Sequence, residues 1–329
     1  MRLSRRTRRS RLRLWLWLLS YFMLLVLFLL ILPIALLNNS PPYELPPSPQ
    51  IRILNTAGEV EMVDIEVFLV GVVAAEMPAS FETEALKAQA AAARTYILHA
   101  MGGGRHEEAT VCTNSAHCQA YLSLEEMQER WGKDFHTYYE KIKQAVGETY
   151  GMVITYGAVP IDALYHSTCG GHTEDAGSYW DKPVPYLLGV PCEWDAESQC
   201  YRNREVFTLS AAAKRLGISV TELTGMKITA LTGTSRVKSI TVGSKSFSGK
   251  GVRELLGLFS SAFTFDIEGE NIVFLSSGSG HGAGLCQYGA NGMAKAGYNW
   301  QEIINHYYTG ITLQKYYEDK TAPVGQPDS

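Results

Sequence analysis

A single carboxylate, Glu76, closes an apolar run in the stretch AAEMPASFETEALKAQAAAARTY (74–96), and Pro78 follows two residues later. Apolar surroundings disfavour the charged form of an acid, so a carboxyl group in such a corner keeps its proton near neutral pH, as a general acid must. Pro78 forbids the helix from running on and presets a new start, so the seam can aim the side chain into a cleft. The competing reading is a solvated glutamate at a helix end. A second chemistry lies in HEEATVCTNSAHCQAY (106–121), where His106, Cys112, His117 and Cys118 place two imidazoles and two thiols within thirteen residues. Four such ligands make a closed tetrahedral zinc site, structural because no position stays open for water. The alternative is a Cys112–Cys118 disulfide. The other cysteines are Cys169, Cys192, Cys200 and Cys286, of which Cys192 and Cys200 are a candidate local disulfide.

The elements that must position these groups read as follows. MVDIEVFLVGVVAAE (62–76) is a helix, or a strand running into one, and ETEALKAQAAAARTYILHAM (82–101) is a helix ending at a glycine triplet. Its alanines let another backbone approach closely. Lys87 and Arg94 share one of its faces. A straight helix from Ser80 puts Arg94 about 21 Å along the axis, too far to touch Glu76. Arg94 therefore reads as a buried counter-charge or a distant groove contact, and it is counted among the substrate-binding candidates. MVITYGAVPIDALYHST (152–168) alternates as a hairpin with Gly157 at its turn. Residues 206–266 read as a smaller insertion, with FTLSAAAKRLG helical and RVKSITVGSKSFSG strand, turn, strand. Helices and strands mix without a regular βαβ alternation, so the fold class is α+β with a substrate groove.

At 329 residues, with 46% hydrophobic and 19% charged residues, the chain can bury a substantial core. Residues 15–37 run twenty-three positions without a charge, enough for a single transmembrane helix. Seven arginines among residues 2–13 mark 1–14 as a cytoplasmic basic segment. Five prolines in 38–50 give a semi-rigid stalk, residues 51–315 a single functional domain, and 316–329 a flexible tail. This organisation predicts a single-pass membrane protein with its amino terminus cytoplasmic and its catalytic domain extracytoplasmic. Beyond the arginine cluster, 22 basic residues face 33 acidic ones, a formal −11, which argues against nucleic acid as a partner.

Three blocks, EMPASFETEALKAQAAAARTY (76–96), YHSTCGGHTEDAGSYW (165–180) and SGSGHGAGLCQYGANGMAKAGYNWQEIINHYYTGI (277–311), together resemble the stage II sporulation protein D family, over nearly all of the outer domain. The resemblance implies a membrane-anchored lytic transglycosylase of endospore formers, working between the mother-cell and forespore membranes. Such an enzyme cleaves the β-1,4 bond between N-acetylmuramic acid and N-acetylglucosamine in septal peptidoglycan during engulfment, on glycan strands already stripped of peptides. It further implies Glu76 as the catalytic acid and stage II sporulation proteins P and M as partners.

One carboxylate suffices for that reaction, because the muramic C6 hydroxyl attacks C1 and no external water is activated. The other blocks then supply sugar contacts. Ser167, Thr168 and Thr173 offer hydroxyls, and Gly170 and Gly171 let backbone approach a sugar closely. His281 offers a neutral imidazole, Gln287 an amide and Tyr288 an aromatic face. Cys286 departs from the small hydroxyl residue expected there in many relatives. Some members of the family bind zinc at a set matching His106, Cys112, His117 and Cys118, which favours structural zinc over the disulfide, with no catalytic cofactor.

Three rivals stand beside this reading. A catalytic zinc hydrolase would use His166, Cys169, His172 or His281, and a chelator would stop it without unfolding it. A cysteine hydrolase would use Cys169. A non-catalytic, glycan-binding enhancer of a cell-wall amidase would leave no new glycan ends.

Overall fold

The computed structural model describes residues 15–29, 44–103 and 106–318. The chain divides into two compact units, Met1–Glu44 and Leu45–Ser329. In the first, residues 15–29 form a helix (α1) whose side chains are all exposed. Among the described residues no helix is long and apolar enough to cross a membrane. This overturns the transmembrane helix expected over 15–37, and with it the assignment of a single-pass membrane protein with a cytoplasmic amino terminus and an extracytoplasmic domain. The expectation rested on a count of uncharged positions, and a count of that kind does not establish a helix long and apolar enough to cross a bilayer. Residues 1–14 and 30–43 lie outside the described residues.

The second unit is a mixed α+β structure. The last part of the expected stalk is tied to it: Pro47 O accepts a hydrogen bond from Tyr150 Oη (2.7 Å), and the Ser48 N–H donates to Asp64 Oδ2 (2.7 Å). Strands β1 (Gln50–Leu54) and β2 (Val60–Asp64) pair antiparallel, and β3 (Val111–Cys112) joins β1 in parallel. Strand β2 runs straight into α2 (Ile65–Glu76), one of the two readings of that stretch. Asp64 makes the junction, its carboxylate accepting the N–H groups of Glu66 and Val67 at 3.0 and 3.3 Å. Such a cap satisfies donors that the first helical turn leaves unpaired.

Helix α3 (Thr83–Gly103) is the axle of the domain. Ala85, Ala88 and Ala90 to Ala93 are completely buried, and with so little bulk the helix touches neighbours on every side. These are α2, α5 (Phe135–Glu148), α10 (Gln287–Lys295), α11 (Trp300–Tyr307) and β4 (Met152–Tyr156). Helix α4 (Leu124–Trp131), which packs against α5, starts on a reciprocal Ser123–Glu126 capping box.

The hairpin read over 152–168 is shorter than expected. Strand β4 turns through Gly157 and Ala158, both left-handed (φ 58° and 65°), into β5 (Val159–Pro160). Strand β14 (Thr312–Lys315) pairs on the other edge of β4. The chain then leaves, and β6 (Tyr165–His166) pairs in parallel with β13 (Leu285–Cys286). That pairing sets the second and third sequence blocks side by side. Helix α6 (Ala176–Trp180) closes the second block.

A separate lobe with its own core is enclosed between Arg202 and Ser277, slightly wider than the insertion expected over 206–266. One of its sheets is β7 (Arg202–Thr208), β12 (Asn271–Ser277) and β11 (Phe263–Glu268). The other is β8 (Lys227–Leu231), β9 (Val237–Val242) and β10 (Lys245–Ser248). Helices α7 (Leu209–Leu216), α8 (Val220–Thr224) and α9 (Gly249–Leu256) complete it, around Ile240, Val252 and Phe274. Of the tail expected from 316, the first residues are bound: the Tyr316 N–H donates to Gly151 O (2.8 Å), and Tyr317 Oη to Glu66 Oε1 (2.5 Å). Residues 319–329 lie outside the described residues.

Candidate active site

Glu76 is the last residue of α2. Met77, which precedes a proline, is barred from the helical region and is extended (φ −120°, ψ 143°). Lys141 pins the turn that follows by donating to Ala79 O (3.2 Å) and Phe81 O. The segment 119–122 crosses α2 at Gly71, where a Cβ would lie 2.2 Å from the Tyr121 ring and 2.7 Å from Leu122 O. Only glycine permits that approach. The Leu122 N–H donates to Gly71 O (3.1 Å), and the Ala120 N–H reaches Glu76 Oε1 at 2.7 Å. Burial pushes the Glu76 carboxyl above its usual range, outweighing the opposite pull of the Ala120 N–H, Gln287 and Tyr165. Gln119, next to Ala120, donates to Tyr165 Oη at 2.8 Å and so ties the same segment to β6.

A cavity of about 470 Å³ opens over this carboxyl group. Its floor and rim come from Ala74 to Ala79, from Arg130 and Trp131 at the end of α4, from His166 and Ser167, and from Gln287 and Tyr288 at the start of α10. Among the described residues lining it, Glu76 is the one carboxylate. Tyr288 is held by its N–H to Ser167 O (3.0 Å) and by an edge-on contact with Phe81. His166 is buried and its Nδ1 lies 3.1 Å from Ala283 O, which fixes the proton on Nδ1. Its Nε2 has no hydrogen-bond partner and faces the task of an acceptor. Burial, with the nearby His281, Arg236 and Arg253, holds its pKa well below the usual range, so the ring is neutral.

The structure brings together Glu76, Ser167, Gln287 and Tyr288 of the residues named from the sequence. It separates the others. Arg94 is fully buried on α3, its Nε and Nη2 each 2.7 Å from the carboxylate of Glu66, with further donations to Met152 O and Val146 O. It is the buried counter-charge and not a groove contact, because its whole guanidinium fork is spent inside the core.

Thr168 bonds Ser198 Oγ (2.6 Å), and Thr173 exchanges hydrogen bonds with the Val190 backbone. Both are buried and structural. Gly170 and Gly171 line a different cavity of about 560 Å³ beside Arg202, Asn203 and Arg236. Gly170 is left-handed (φ 79°), and a Cβ there would meet Gly278 N at 2.9 Å, so its role is close packing of two chain segments. His281 sits among His166, Tyr179 and Trp180, with its pKa lowered to about 4 by burial and by Arg253 and Arg236. It does not line the Glu76 cavity.

The sequence reading missed Arg130, Trp131 and the acceptor face of His166. The capping box opening at Ser123 was the signal that a helix delivers the first two.

The ligand atoms of His106, Cys112, His117 and Cys118 lie within 4.8 Å of one another. His117 Nδ1 is 3.3 Å from Cys118 Sγ and 3.6 Å from Cys112 Sγ, and His106 Nε2 is 3.4 Å from Cys118 Sγ. Two thiols and two imidazoles at this spacing suit a small tetrahedral cation. Cys112 and Cys118 are not joined, nor are Cys192 and Cys200: all six cysteines are free. His166, Cys169, His172 and His281 do not form a ligand cluster among the described residues.

Residues 54–156 match the model of the family described as Stage II sporulation protein (SpoIID). Over 270 residues, covering 80% of this chain and 79% of the relative, the sequence is 38% identical to Stage II sporulation protein D of Bacillus subtilis (strain 168). It is 37% identical over 260 residues, 78% of this chain and 76% of the relative, to Stage II sporulation protein D of Bacillus amyloliquefaciens. The chain belongs to the stage II sporulation protein D family. It is also similar to the amidase enhancer of Bacillus subtilis, at 27% identity over 303 residues, 75% of this chain and 40% of that protein.

Proposed function

We propose that the chain is a lytic transglycosylase of engulfment in sporulation, cleaving the β-1,4 bond between N-acetylmuramic acid and N-acetylglucosamine in peptide-stripped glycan strands. The observation that supports this most is a lone carboxyl group, its pKa raised by burial, in a cavity lined by no second acid among the described residues. Ordinary glycosidases need two carboxyl groups, one to protonate the leaving oxygen and one to serve water or act as nucleophile. Here the substrate supplies its own nucleophile. Glu76 gives its proton to the glycosidic oxygen as the C1–O bond breaks; the muramic C6 oxygen forms the new bond to C1, and its proton passes to the Glu76 carboxylate. The product is a 1,6-anhydro end, no water is consumed, and Glu76 returns protonated.

Neighbouring groups fit the same task. Gln287 and Ser167 offer polar contacts, and Trp131 and Tyr288 offer aromatic faces. His106, Cys112, His117 and Cys118 would hold a structural zinc ion, closing the segment that ends two residues before Ala120 and so steadying the N–H that meets Glu76. By family resemblance, partners are stage II sporulation proteins P and M.

The similarity to an amidase enhancer favours a second reading, a glycan-binding protein that cuts nothing. Product chemistry separates them. Incubation of the purified chain with peptide-free glycan strands should yield 1,6-anhydro-muramyl ends by mass spectrometry. Reducing ends would mean ordinary hydrolysis, and an absence of new ends would favour the enhancer.

A further inference from the structure

Outside the Glu76 cavity, Cys169, Cys192, Asp195 and Cys286 bring three sulfurs and a carboxylate oxygen within 4.8 Å of one another. All four side chains are buried, Cys192, Asp195 and Cys286 completely. They come from three separate stretches: the second sequence block, the loop 181–201, and the junction of β13 with α10. All three thiols are free.

Two features of their surroundings point to a cation. Asp195 Oδ2 accepts the Gly170 N–H at 2.7 Å and lies 3.0 Å from Cys169 Sγ, yet Oδ1 is buried without a hydrogen-bond partner. A carboxylate left so in a dry pocket is costly unless an opposite charge joins it. Cys286 is the N-cap of α10, and its Sγ accepts the N–H groups of Gly289 and Cys169, each at 3.3 Å. N–H donors around a sulfur are the kind of support that metal-bound thiolates receive.

We propose that Cys169, Cys192, Asp195 and Cys286 form a second, structural metal site for a thiophilic divalent cation of the zinc class. Three sulfurs select a soft or borderline ion over magnesium or calcium, and four protein ligands leave no position for water. Binding breaks three S–H bonds, forms three metal–sulfur bonds and releases three protons to solvent, while the Asp195 carboxylate completes the coordination. The site also accounts for a feature of the fold. Residues 181–201 contain neither helix nor strand beyond a single bridge at Pro191, longer than compact domains usually leave a loop unsupported. The cation would clamp the middle of that loop to Cys169 and Cys286, which stand beside cavity residues Ser167 and Gln287.

The test is metal content of the full chain, produced with zinc and purified in reductant without chelator. Wild type is expected to hold one zinc more than Cys286→Ser and one more than Asp195→Asn, while Cys118→Ser retains that zinc; the difference is read whether or not the 106–118 cluster is filled. Because a buried serine can disturb folding, wild type and Cys118→Ser are also loaded with cobalt(II). A strong sulfur-to-cobalt charge-transfer band that persists in Cys118→Ser supports the proposal. A wild type with no zinc dependent on Cys286, no cobalt band in Cys118→Ser, or a disulfide between any two of Cys169, Cys192 and Cys286 in the zinc-loaded chain overturns it.

Discussion

At the scale of the residue, the proposed reaction rests on the protonation state of Glu76. Its folded pKa is raised by burial, so the acid form that starts the reaction persists further toward neutral pH than in a solvated glutamate. Cleavage is therefore expected to fall as pH rises through that pKa, measured as the initial rate on peptide-free glycan. The same shift has a sign for stability. A raised carboxyl pKa contributes stability that is complete below the unfolded value and is lost as pH rises through the folded one. Glu76→Gln removes that loss, so urea unfolding should show the variant at least as stable as wild type near neutral pH. The place of Glu76 at the end of α2, lining a cavity, was legible because an acid ends an apolar run before a proline. Its partner Ala120 was not, since that bond depends on Gly71 letting a distant segment lie against α2.

At the scale of the element, α2 and α3 are locked by the buried pair Glu66–Arg94, reinforced by the Gly151 N–H and Tyr317 Oη on the carboxylate. Removing one partner leaves a charge stranded in the core, so Arg94→Ala is expected to cost about 3–5 kcal/mol of unfolding free energy in urea titrations. Gly71→Ala forces a Cβ into Tyr121 and should cost about 1–3 kcal/mol, while also displacing Ala120 and lowering cleavage more than its stability loss explains. Helix periodicity revealed α3 and its close-packing alanines. It could not reveal which face of α3 meets α2, and so left Arg94 between two roles. The acid Glu66 inside the apolar run 62–76 was the available signal for its partner. Regular spacing was likewise enough for β9 and β10, whereas the parallel pairing of β6 with β13 joins residues more than a hundred positions apart and leaves no local trace.

At the scale of the whole molecule, the sequence blocks around Glu76, Tyr165 and Gln287 converge on one cavity, and a cysteine–histidine cluster sits on the segment that feeds it. If that cluster holds structural zinc, a chelator should remove secondary structure and activity together, followed by circular dichroism and by product release; a catalytic ion would be lost with structure intact. The order of the blocks and the chain's α+β character could be read directly. The charge-free stretch near the amino terminus misled, because a run of uncharged positions is not in itself a helix long and apolar enough to cross a membrane, and none is found among the described residues. The most direct measurement of the central claim compares wild type with Glu76→Gln on purified peptide-free glycan strands, with anhydro-muramyl ends counted by mass spectrometry. The account predicts abundant anhydro ends from wild type and a loss of at least about 100-fold in the variant. Anhydro ends released by the variant at the wild-type rate would contradict it.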